Sequence, residues 1–110
     1  MIEDIDYLVS SVKYDEDNVK IDKVRTHEKQ GEYGVGFPYT EPRDRLICNI
    51  KEGNCYYTLV QKKEGDFDYQ LGKELKVIEI GGEEFVRVDD REEKRDYLGN
   101  VTTIEESLLR

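Results

Sequence analysis

The sequence predicts an α+β fold, mostly antiparallel β, with about five strands in a small bent sheet or SH3-like partial barrel and one short helix. Three observations carry this. Residues 74–89, ELKVIEIGGEEFVRVD, place two apolar, β-branched runs around Gly81-Gly82, and adjacent glycines take the positive φ angles of a tight hairpin turn. Further strand-like runs recur at 5–14, 19–25 and 55–61. The clearest helical spacing falls in one stretch, Thr40 to Gly53.

Within the hairpin, a two-residue loop sets Ile78 against Phe85, Val77 against Val86 and Leu75 against Val88. A slip by one residue would oppose Val77 to Arg87, so the apolar pairing selects the first register.

The remaining elements follow in chain order. IDYLVSSVKY (5–14) reads as a strand with Leu8, Val12 and Tyr14 on one face and Tyr7 and Val9 on the other. Asp15-Glu16-Asp17-Asn18 is a turn, since short polar side chains bond their own backbone. Val19 to Arg25 returns as a second strand, with Val24 breaking the alternation where a bulge would fit. Residues 28–39, EKQGEYGVGFPY, are expected to be a loop. Thr40 is the expected helix N-cap, Pro42 lies in the first turn, and Gly53 is the stop. Leu46, Ile47 and Ile50 form the helical stripe that faces a sheet. CYYTLVQ (55–61) is apolar on both faces and reads as a central strand. Lys62 to Gly72 is a polar excursion whose Phe67 and Tyr69 are expected to tuck into the core. Residues 89–100 read as a charged, solvated connector, and a capping box at Thr103-Ile104-Glu105-Glu106 suggests a short or frayed helix in the tail of about 100–110.

At 110 residues, a single domain (1–110) is expected. Its eight tyrosines and three phenylalanines argue against disorder. The net charge of −9 disfavours direct binding to nucleic acid or to an anionic membrane. Seven acids against two lysines in residues 1–22 concentrate that charge at one end. Neither an apolar span nor a basic-apolar leader is visible, and a cytoplasmic, reduced protein is the expectation. Asn100-Val101-Thr102 is then a chance match to a glycosylation acceptor.

Several of these segments carry a family likeness. YLVSSVKYDED, IDKVRTHE, IKEGN, YYTLV, the glycine hairpin and DYLGN, in that order, resemble a family of small bacterial and phage proteins catalogued as domain of unknown function 3892. The likeness covers about residues 5–101, and Tyr97 departs from the DNLGN-like phrase of the family. The resemblance implies a fold but carries no activity or catalytic residue to this chain.

No residue pattern names a cofactor, a metal or a catalytic set. His27 is the single histidine, and is expected to be exposed at a strand end. Cys48 and Cys55 lack metal spacing and read as two small buried thiols, unpaired by a disulfide. Gly31 to Phe37 lacks the lysine and hydroxyl of a P-loop. Asp89, Asp90, Glu92, Glu93 and Asp96 lack the calcium-loop pattern, and interleaved Arg91, Lys94 and Arg95 compensate them.

The leading expectation is therefore a non-enzymatic binding or accessory module acting by protein–protein contact, as a monomer or small homo-oligomer. Tyr33, Phe37 and Tyr39 are the candidate aromatic anchors, weighed against the plainer reading that these rings cap the core. Asp15, Glu16 and Asp17 are the candidate acidic contacts for a partner with a basic surface. A phage-type inhibitor that mimics a nucleic-acid backbone, with Glu3, Asp4, Asp6 and Asp22 joining that acidic face, is the second expectation. A small enzyme with a non-standard site, which would need a pocket around His27, is the third.

Overall fold

The structure is a computed structural model that describes residues 5–31, 34–61 and 69–104. Nine strands and one helix are present among them: β1 (Tyr7–Tyr14), β2 (Ile21–Gln30), β3 (Gly34–Val35), β4 (Tyr39–Pro42), α1 (Arg43–Lys51), β5 (Tyr56–Gln61), β6 (Tyr69–Glu74), β7 (Lys76–Ile80), β8 (Glu83–Arg87) and β9 (Thr102–Thr103). The α+β class holds. The main sheet runs β3-β2-β1-β5-β6 as a curled half-barrel, with β4 beside β2 and β9 beside β1. Two pairings are parallel, β1 with β5 and β1 with β9. The first follows from α1, which carries the chain from β4 across to the far side of β1, as a parallel partner requires. β5 lies between β1 and β6 and is central, as its two-sided apolarity implied.

The hairpin forms a separate two-stranded sheet, with Val77 opposite Val86 and Ile78 opposite Phe85. Gly81 and Gly82 sit at φ +59° and +87°, the left-handed pair that a two-residue loop demands. Leu75 and Val88, just beyond the ladder, are both in the core.

Two bulges alter the first hairpin. Along β1 the register passes from Val9↔Thr26 to Ser11↔Arg25, so Ser10 is a surplus residue. The face therefore flips after Val9, and Val9 joins Val12 in the main core instead of opposing it. On β2 the surplus is Asp22, between Lys23↔Lys13 and Ile21↔Tyr14. This is the bulge that Val24 signalled, and it puts Ile21 and Val24 in the core together.

Other expectations change. The 28–39 segment is largely strand: β2 extends to Gln30, and β3 and β4 pair back on it. Thr40 lies in β4, and Pro42 occupies the helix N-cap position without a side-chain bond. Gly53, at φ +104°, does end the helix. Residues 69–74 form β6, where Tyr69 is 45 % exposed rather than tucked in; Phe67 lies outside the described residues. The tail begins with β9, and the rest of the expected capping box lies outside the described residues.

The core gathers Val9, Val12, Ile21 and Val24 from the sheet, Leu46 and Ile47 from α1, Tyr56 from β5, Leu75, Val86 and Val88 from the hairpin, and Leu98 and Val101 behind it. Residues 89–98 are not a solvated connector. They fold back along β8, bridging Tyr97 to Arg87, and they bury Asp96 and Leu98.

Asp96 ties four segments. Its carboxylate accepts the Ile21 N–H at 2.7 Å, the Val86 N–H at 2.9 Å, and Arg43 Nε and Nη2 at 2.7 and 3.1 Å. Arg43 also donates to the Glu84 carbonyl at 2.7 Å. Arg87 is buried beside it: Nε and Nη2 grip Asp89 at 2.7 and 3.0 Å, Nη1 donates to the Arg95 carbonyl at 2.9 Å, and the Tyr97 ring lies 5.1 Å from its guanidinium carbon. A second buried acid, Glu41, accepts Thr26 Oγ1 and Asn49 Nδ2, each at 2.9 Å, and the Tyr56 hydroxyl at 3.0 Å. Burial raises the Tyr56 phenol's pKa, so it remains a donor to that carboxylate. No buried side-chain nitrogen or oxygen lacks a partner among the described residues.

Gly82→Val forces a β-branched residue to φ +87° and should cost about 2 kcal/mol, a fall of roughly 10 °C in Tm. An unchanged melting temperature would refute the turn geometry. Asp96→Asn should cost about 3 kcal/mol in urea unfolding, because it leaves Arg43 without its charge partner and turns an amide donor toward donors. Asp90→Asn, which removes a 91 % exposed partner of Lys76, should cost less than about 0.5 kcal/mol. Equal losses in the two variants would mean that Asp96 is not the tie described.

Candidate functional site

The strongest surface feature lies where β2 meets β3 and β4. Lys29 pairs with Val35 and Thr26 with Tyr39. Residues 36–38 therefore span the same interval as residues 27–28, and one residue is forced out of the ladder. That residue is Phe37, 94 % exposed. Its neighbours hold it in place. The Gly36 N–H donates to the Glu28 carbonyl at 2.8 Å, and the Gly36 carbonyl lies 2.9 Å from His27 Nδ1. Pro38 fixes its own φ and restricts Phe37 to extended backbone. Gly34 is required beneath, because a Cβ there would stand 2.5 Å from the Gln30 carbonyl oxygen.

Val35 and Tyr39 flank Phe37 and are 45 % and 43 % exposed. Partial burial, and then Glu41, push the Tyr39 pKa up to about 12. The plainer reading of these aromatics, that they cap the core, fails for Phe37. Tyr33 lies outside the described residues.

The acidic candidates are elsewhere. Asp15 builds the β1–β2 turn: its Oδ1 accepts the Val19 and Lys20 N–H groups at 3.0 and 3.4 Å, and these bonds lower its pKa. Asn18 follows at φ +57°. Glu16 and Asp17 lie at this turn, at the opposite end of β2 from Phe37, about 25 Å along the strand. The structure thus separates Phe37 and Tyr39 from Asp15, Glu16 and Asp17. Asp6 precedes β1 and accepts the Cys55 N–H at 2.8 Å, at the far end of that strand from the Asp15–Asp17 turn; Asp22 lies on β2 near the turn, and Glu3 and Asp4 lie outside the described residues.

His27 is not a free strand end. It lies inside β2, half-buried, with both ring nitrogens engaged: Nδ1 with the Gly36 carbonyl and Nε2 with Ser10 Oγ at 2.7 Å. A carbonyl only accepts, so Nδ1 carries the proton of the neutral ring and Nε2 accepts from the Ser10 hydroxyl. Sequence reasoning missed Ser10 because its approach depends on the β1 bulge, which no single-residue signal announces.

Cys48 is exposed rather than buried, and its Sγ lies 3.5 Å from Glu52 Oε2, which raises the thiol pKa and opposes a reactive thiolate. It borders a groove of about 440 Å³ between α1 and Glu84. The cations of that groove are already paired, Arg43 with Asp96 and Lys51 with Glu84. No cluster of three metal-ligating side chains occurs among the described residues. No helix among them is long and apolar enough to cross a membrane.

Phe37→Ala should leave thermal stability within about 0.5 kcal/mol of the parent, because so exposed a ring has no burial to lose. A larger fall would place the ring in the core. No family model, no curated protein and no solved structure matches this chain.

Proposed function

We propose that this protein is a small acidic binding or accessory module that acts by protein–protein contact through the β3–β4 edge. The carrying observation is Phe37, 94 % exposed on backbone pinned by two hydrogen bonds at Gly36 and stiffened by Pro38. A large apolar ring held outward loses contact with nothing when it docks, and little conformational entropy is spent in ordering it. Val35 and Tyr39 supply the half-exposed surroundings of such an anchor, and aromatic residues dominate binding hot spots.

The nucleic-acid-mimic reading has less support. It needs carboxylates spaced like phosphates on one face, whereas Asp6 and the Asp15–Asp17 turn lie at opposite ends of β1.

The test is affinity capture from native lysate with the parent chain and with Phe37→Ala, each at low and high salt. The expected outcome is a protein retained at both salts by the parent and held roughly 30-fold more weakly by the variant. Identical partners at identical affinity would overturn the proposal. A nucleic-acid enzyme released by salt and indifferent to Phe37 would establish the mimic reading instead.

A further inference from the structure

Ser10, His27 and Gly36 form a nucleophile, a base and an orienting group in sequence. The hydroxyl oxygen stands 2.7 Å from Nε2, and the far ring nitrogen is held at 2.9 Å by a backbone carbonyl. Nucleophile and base within hydrogen-bond reach, with the base fixed by a third group, is the arrangement that activates a serine. The carbonyl's part is to select the tautomer: with the proton on Nδ1, the Nε2 lone pair faces Ser10.

Three features distinguish this pair from an ordinary strand-to-strand bond. His27 is the single histidine of the chain. Ser10 is the surplus residue of the β1 bulge, a device that re-aims a side chain. Ser10 also sits where the other edge of β1 changes partner, since pairing with β5 ends at Val9↔Thr58 and pairing with β9 starts at Ser11↔Thr102. Both residues are half-buried rather than sealed in the core.

We infer that Ser10 is a nucleophile activated by His27, and that it accepts acyl groups from small esters with weakly basic leaving groups, such as aryl or thiol esters. The Ser10 oxygen bonds to the acyl carbon as its proton passes to His27 Nε2. The imidazolium returns that proton to the departing phenolate or thiolate as the bond to the acyl carbon breaks. Water then attacks the acyl-serine while His27 takes its proton. The acid departs, the serine oxygen recovers a proton from the ring, and the starting state is restored. A good leaving group is specified because the structure supplies the nucleophile and the base, which lower the barrier to attack and proton transfer. This capacity goes beyond the docking role of Phe37 and does not rest on it.

The experiment is labelling of the purified full chain with a fluorophosphonate, in which the Ser10 oxygen replaces fluoride at phosphorus, read by intact mass and peptide mapping. One adduct on Ser10 is expected, absent from Ser10→Ala. His27→Gln, which keeps a hydrogen-bonding side chain, should slow labelling by roughly 100-fold. An unlabelled parent chain, an adduct on another residue, or labelling of His27→Gln at the parent rate would overturn the inference. The parent result stands whether or not the variants fold. Ser10→Cys offers a further reading: a thiol activated by His27 should alkylate with iodoacetamide faster than Cys48 in the same chain, and a rate no faster than that of Cys48 would count against the pair.

Discussion

The fold depends on one buried carboxylate. Asp96 has no exposed side-chain surface, and it accepts from the start of β2, from β8 and from the first residue of α1. These segments lie far apart in sequence and share no ladder with one another. A buried carboxylate costs several kcal/mol in lost hydration, repaid only when every lone pair is used. Asp96 meets that condition with two amides and a guanidinium. It therefore sets where the detached hairpin, the helix and the first hairpin stand relative to one another, while the apolar side chains between them supply most of the burial energy. Glu41 does the same at the other side of α1 with neutral donors: Thr26, Asn49 and Tyr56 join β2, α1 and β5 around it.

Surplus residues, rather than regular strands, shape the surface around His27 and Phe37. The Ser10 bulge brings a hydroxyl to His27, and the surplus between β3 and β4 expels Phe37. Gly36 links the two places. Its carbonyl orients the imidazole, and its N–H holds the chain that presents the ring. The exposed Phe37 ring and the Ser10–His27 hydrogen bond thus share one backbone anchor. The acids at the β1–β2 turn contribute net charge and turn geometry at a distance from both.

Much of the architecture is legible in the residues. The Gly81-Gly82 hairpin and its register, the helix stripe of Leu46 and Ile47, its stop at Gly53, the central strand at 55–61 and the bulge near Val24 are all local signals, written in periodicity and turn chemistry. Phe37 and Tyr39 could be singled out by composition, but their exposure could not. The short strands β3 and β4 were hidden because glycine and proline there signal a loop, and only pairing with β2 makes them strands.

What the sequence by itself determined is the main elements, namely the first two strands, the helix, the central strand and the Gly81-Gly82 hairpin, and that the class is α+β. These follow from interactions within a few residues, where sterics and hydrophobic periodicity decide. The tertiary structure alone decided the burial of Arg87 and Asp96, the partnership of Ser10 with His27 and the outward stance of Phe37. Each depends on groups brought together across tens of residues, so an aspartate in a charged run reads as solvated until the fold surrounds it with donors. A bulge shifts every later side chain by one face, and that shift is set by the partner strand rather than by the residues that carry it.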